Sequence, residues 1–104
     1  MNQSPFPDLI TRLPAFEGPF DATRIAADSC DVLFARYPGG TTIEDHRHET
    51  DNVGIITTGE LILVIEGHET RYRSGDWYQV PAGQTHAARF ETDTAEIEFW
   101  FPPR

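Results

Sequence analysis

Cysteine, basic residues and long apolar runs are all scarce in this chain, and each scarcity removes a class of function. The single cysteine, Cys30, has no partner for an internal disulfide; within SCDVLFARY, an apparent strand, it reads as a small buried hydrophobe. Eight basic residues against 17 acidic ones leave a net charge of -9 at pH 7. That field repels phosphate backbones and anionic leaflets, so neither nucleic acid nor a membrane is an expected partner. No apolar run approaches the roughly 20 residues of a spanning helix, and MNQSPFPD lacks the basic-then-apolar layout of a secretory signal. A cytoplasmic protein is the expectation. A serine with a histidine base in register, a glycine-rich phosphate loop and a cysteine ligand cluster are missing too, which leaves nucleophilic and nucleotide chemistry unsupported.

What is present suits one all-β domain. A length of 104 residues with 38% hydrophobic content supports a single core. Prolines at 5, 7, 14 and 19 break residues 1–20 into an arm, where Asp8 is placed to cap a helical turn through Leu13 that Pro14 stops. From Asp21 to Arg104 short β-branched and aromatic runs alternate with Gly, Pro, Asp and Ser, the pattern of a sandwich or barrel. Asp31–Tyr37 reads as a strand followed by a PGGT turn; breaks at Thr58-Gly59 and Gly67-His68 predict two successive hairpins. LILVI (61–65) is apolar throughout and needs cover on both faces, from the interior and from a second sheet, the arm or another subunit, so a homodimer is expected. In the last strand Ala95, Ile97, Phe99 and Phe101 alternate with Glu96, Glu98 and Trp100, as in a half-buried strand with the apolar row inside.

His46 and His48 flank Arg47 and share one face if the segment is extended, so two imidazoles can chelate one ion. His86 follows PAGQT, whose tight turn delivers a strand back toward the barrel. The spacing runs Gly40, five residues, His46-x-His48, three residues, Asn52, six residues, Gly59; then Gly75, five residues, Pro81-x-Gly83, two residues, His86, three residues, Phe90. These segments resemble the two motifs of the cupin superfamily across residues 40–90, with 15 residues between them. The resemblance implies a double-stranded β-helix, or jelly-roll barrel, with His46, His48 and His86 as metal ligands. It departs at Asn52, where the family's ligand glutamate is expected, and at Phe90, where it carries an asparagine.

The glycine register favours Asn52 as the inward residue, with Asp51, Glu49 or water as alternative fourth ligands. His48 and Asn52 would lie about 13 Å apart if fully extended, so the chain must turn between them. Three neutral imidazoles and an amide leave a divalent ion's charge uncompensated, which favours an anion at its open positions. The donor set suits a divalent transition metal over magnesium or calcium, without distinguishing zinc, iron, nickel, manganese and copper.

Among other residues, His68 reads as a solvated turn residue, and Trp77, Tyr78, Phe90, Phe99, Trp100 and Phe101 as filling or pocket lining. Either Tyr78 or Gln79 faces inward. Arg36, Arg71, Arg73 and Arg89 read as surface ion-pair partners. Glu44, at even spacing before His46, is the nearest acid able to share the histidine face unless a bulge intervenes. Two functions remain: a small metalloenzyme of dioxygenase, isomerase or decarboxylase type acting on a compact, anionic organic substrate, or a small-molecule binding or sensing module without catalysis.

Overall fold

The computed structural model describes residues 4–103. A short helix α1 (Asp8–Thr11) precedes nine strands: β1 (Asp21–Ala26), β2 (Asp31–Tyr37), β3 (Thr41–His46), β4 (Asp51–Thr58), β5 (Glu60–Ile65), β6 (His68–Arg73), β7 (Trp77–Val80), β8 (His86–Phe90) and β9 (Thr94–Phe101). They form two antiparallel sheets, ordered β1-β2-β9-β4-β7 and β3-β8-β5-β6, which face each other as a jelly roll. Pro7, not Asp8, occupies the cap position of α1, and the helix stops at Thr11. Farther along the arm, Phe16 N–H donates to the Ala22 carbonyl and Arg24 N–H to that of Pro14, which lays residues 14–20 against the barrel.

Of the two expected hairpins, one forms. Ile65 pairs with His68 around Glu66-Gly67, both at positive φ (52° and 78°), the geometry of a type I′ turn. At Thr58-Gly59 the chain instead turns a corner between sheets: β4 pairs with β7 and β9, β5 with β6 and β8. Cys30 also departs from expectation, since it lies half-buried in the β1–β2 turn, its carbonyl accepting from Ala27 N–H.

The core between the sheets gathers Leu33, Ala35, Ile56, Leu61, Leu63, Val80, Ala88 and Phe90. Each large aliphatic side chain buried there contributes about 1.5–3 kcal/mol. LILVI finds its second cover within its own chain. Leu61 and Leu63 face inward, while Ile62, fully buried, sits in register between Arg71 on β6 and Arg89 on β8. Ion pairs bind those arginines to the sheet surface: Arg71 to Glu60 at 2.7 Å, Arg73 to the same carboxylate at 2.8 Å, and Arg89 to Glu69 at 2.5 Å. The stems of Arg71 and Arg89, its two cross-strand partners, are the ones placed to shield Ile62.

The last strand is inverted relative to expectation. Glu96 and Glu98 are 2% and 5% exposed and point inward with Trp100, whereas Ile97, Phe99 and Phe101 face out. Cross-strand pairing explains the outer row: Ile97 lies between Phe34 and Ile55, and Phe99 between Val32 and Val53. Apolar residues thus continue across the outer surface of the five-stranded sheet, ending at Trp77, which is 57% exposed.

Candidate metal centre

His46 ends β3 directly opposite His86, which opens β8. A bulge makes this pairing productive. From Ile43 to His46 is three residues, but their partners Ala88 and His86 are two apart, so one extra residue sits on β3. Ile43 packs on the core, and without that insertion His46 would point to the opposite face. The same bulge leaves Glu44 exposed, and only its carbonyl serves the site, accepting from His46 Nδ1 at 2.8 Å.

His86 is fixed in the same way, its Nδ1 donating to the Gln84 carbonyl at 2.9 Å. In both rings the proton therefore sits on Nδ1, and the Nε2 lone pair is free to bind an ion. His48 lies two residues past β3, and its carbonyl accepts from Gly83 N–H at 2.9 Å, which ties the first histidine segment to the PAG turn. The ring centroids lie 4.1 Å (His46 to His86), 4.8 Å (His46 to His48) and 5.3 Å (His48 to His86) apart. One nitrogen from each ring lies within 4.8 Å of the other two. Metal–nitrogen bonds of about 2.1 Å hold donors at most about 4.2 Å apart, so a small rotation closes the set. His48 can supply that rotation, because no hydrogen bond fixes its ring among the described residues.

Burial, followed by the neighbouring His46 and His86, lowers the His48 pKa to about 4; burial also lowers that of His86. A divalent ion meets little proton competition at either. A base depressed on folding contributes stability that is complete above the unfolded value of 6.5 and is lost as pH falls toward 4. Metal-free protein should therefore weaken across that window, and proton NMR should place the His48 midpoint near 4. A midpoint at or above 6.5 would mean that the rings do not cluster in solution.

Asn52 is 8% exposed on the inner face of β4, beside the histidines, and its Oδ1 accepts from the Thr50 hydroxyl at 2.6 Å. Asp51 turns away, taking Ala82 N–H at 2.7 Å and so bracing the PAG turn, while Glu49 is exposed. All three histidines and Asn52 line one cavity of about 780 Å³ between the sheets. Trp100 stands against His48 with centroids 5.0 Å apart, and Phe16 and Phe20 of the arm pack on Trp100. Tyr78 faces inward and Gln79 outward; Tyr78, Phe90 and Trp100 line the cavity, whereas Trp77, Phe99 and Phe101 lie outside it. His68 is exposed at the start of β6. Arg36 pairs with Asp21, and no arginine among the described residues lines the cavity.

Sequence reasoning missed Glu96, Glu98, Tyr37 and the arm's Phe16 and Phe20. The available signal was Trp100 in the same alternating row as the two glutamates: an indole lining the pocket brings the acids in with it.

A jelly roll enclosing a histidine cluster in an aromatic cavity defines a class, the small double-sheeted β-barrels. A model of the cupin domain matches residues 33–101, and the chain belongs to that family. It is 30% identical over 87 residues to H2HPP isomerase of Bacillus subtilis, covering 81% of this chain and 37% of that protein. It is 32% identical over 57 residues to the HTH-type transcriptional regulator PuuR of Escherichia coli, covering 54% of this chain and 31% of the regulator. The chain thus spans about a third of the length of these curated relatives. A cupin superfamily protein from Desulfitobacterium hafniense has the same fold, with a TM-score of 0.75 at 17% identity over 99% of this chain and 94% of that one.

Proposed function

We propose that this cupin is a metal-dependent enzyme acting on a compact organic anion, with His46, His48 and His86 as the protein ligands and Asn52 as the fourth. The observation that carries the reading is the pair of Nδ1-anchored rings presenting free Nε2 atoms, with His48, to the end of an apolar-walled cavity. A transition metal held there would supply the positive charge that draws in an anion and acidifies the bonds next to its carbonyl. The protein's residues do the rest. The imidazoles and Asn52 leave positions open, and Trp100, Phe16 and Phe20 keep water from the ligand's apolar part. The outer face of the five-stranded sheet, with Phe99 and Trp77, supports the homodimer as part of this proposal.

A second reading, a sensor that binds without catalysis, is favoured by the similarity to PuuR. Oxalate, a compact dianion with no reactive C–H, tests the shared part. With metal present it should raise the melting temperature by about 10–20 °C, since a ligand at about 100 times its Kd adds about 2.7 kcal/mol. The same rise in metal-free protein would overturn the metal-dependent site. Turnover of a 2-oxo acid separates enzyme from sensor.

A further inference from the structure

Glu96 and Glu98 form a second polar centre in the cavity that holds the histidines. The strand register places them. Across the inner face of the five-stranded sheet, Trp100 is opposite Asn52, and Asn52 opposite Val80; the next row inward is Glu98 opposite Gly54, itself opposite Tyr78. Glu98 therefore lies one row from Asn52 and Trp100, a diagonal spacing of about 7–8 Å between backbones. Its Oε1 accepts from Trp100 Nε1 at 2.9 Å and its Oε2 from the Tyr37 hydroxyl at 2.5 Å. Glu96 accepts from the Tyr78 hydroxyl, and its carboxyl neighbours that of Glu98. Tyr78 reaches it because its ring crosses Gly54, where a Cβ would stand 2.4 Å from a ring carbon.

Burial, and then the charge of Glu98, push Glu96 well above the usual carboxyl range, which favours a proton held on the pair. The same causes, burial and the glutamate charges, raise Tyr37 and Tyr78 and keep both hydroxyls protonated as donors. Burying two adjacent carboxyls is costly, and an apolar residue at either position would avoid the cost. They line the open cavity rather than the solid core, facing the volume that a ligand at the histidines would fill.

We propose that Glu98 is the base, and the Glu96–Glu98 pair the proton reservoir, for carbon–proton exchange on an enolisable 2-oxo acid bound at the histidine end of the cavity. This rests on the metal-dependent reading above. A Glu98 carboxylate oxygen takes the proton from the carbon next to the ketone. The C–H electron pair becomes the carbon–carbon double bond of the enolate, and the carbonyl π pair moves to oxygen. The pair then returns a proton to the same carbon, on either face, so that the configuration there can invert. No oxidant, reductant or co-reactant enters, so the reaction class is isomerisation. Trp100 and Tyr37 position the carboxylate, and Glu96 supplies the returned proton.

The test uses the full chain and 2-oxobutanoate in heavy water, with deuterium at its third carbon followed by NMR. Metal-loaded wild type should exchange well above background. Glu98→Gln should lose at least about 100-fold of that rate while keeping its metal content and its oxalate-induced rise in melting temperature. Tyr37→Phe, which keeps both carboxyls, should lose roughly tenfold. Exchange at the wild-type rate in Glu98→Gln overturns the proposal; if that variant does not fold, wild-type exchange in Tyr37→Phe does so. An independent readout needs no metal: infrared spectra of the metal-free protein at neutral pH should show a protonated carboxylic acid that Glu96→Gln removes. Its persistence in that variant, or absence from wild type, overturns the shared proton. Wild type that takes up no metal overturns the metal-dependent reading instead, while the infrared result still decides the state of the pair.

Discussion

His86→Ala is expected to lower affinity for a first-row divalent ion by more than about 100-fold and to leave the barrel folded. Removing a residue that merely orients a metal ligand costs about 10–100-fold, so removing a ligand itself should cost more. The fold survives because the ring makes one local hydrogen bond, to Gln84, while Ala88 and Phe90 anchor β8 in the core. His48→Ala should behave similarly. Asn52→Ala should cost only about tenfold, because the Thr50 hydroxyl already occupies one lone pair of its Oδ1 and an amide is a weak donor. Metal content after dialysis against a graded chelator series gives all three values. Full occupancy in His86→Ala would place the ion elsewhere, and equal losses for Asn52 and His86 would make the amide as strong a ligand as the imidazole.

The three histidines and Asn52 were legible as neighbours because the chain's sharpest punctuation surrounds them. Gly40, Gly59, Gly75 and Gly83 all adopt positive φ, so their spacing reports backbone turns directly. The PAG turn delivers His86 as its sequence implies. The second centre was not legible, for a physical reason. Alternation along β9 shows that its two faces differ, but not which one is inside. The rule that apolar residues face inward holds for a filled core. In a barrel with a cavity the inner face meets the ligand, and the outer face of an antiparallel sheet can be apolar where neighbouring strands supply Phe34, Val53 and Ile55 as cross-strand partners. The β3 bulge was hidden for a similar reason: one extra residue leaves no mark on composition, yet it turns His46 inward and Glu44 out. Likewise, a glycine at Thr58-Gly59 reads the same whether the chain makes a hairpin or crosses between sheets.

Gly59→Ala should be the most damaging of the glycine substitutions, lowering stability by about 2–5 kcal/mol. Two costs combine at that corner. The backbone has φ of 82°, a region that costs a residue with a Cβ about 1–2 kcal/mol. A Cβ there would also stand 2.4 Å from the Asp93 carbonyl oxygen and 2.8 Å from Thr94 Cα, both backbone atoms that cannot swing aside. Overpacking of this kind adds about 1–3 kcal/mol. The displaced neighbour is a junction: the buried Thr94 hydroxyl accepts from Glu60 N–H at 3.2 Å and lies 3.1 Å from the Glu60 carbonyl, joining the start of β5 to the start of β9. Gly67 supplies the control. It has nearly the same φ, 78°, and a Cβ there would meet nothing within 4 Å, so Gly67→Ala should cost only the conformational part. For a chain of this size 1 kcal/mol is about 4–8 °C in melting temperature, and the two variants should differ by several degrees at least. Equal melting temperatures would mean that the corner yields without strain, leaving positive φ as the sole reason for glycine at this motif position.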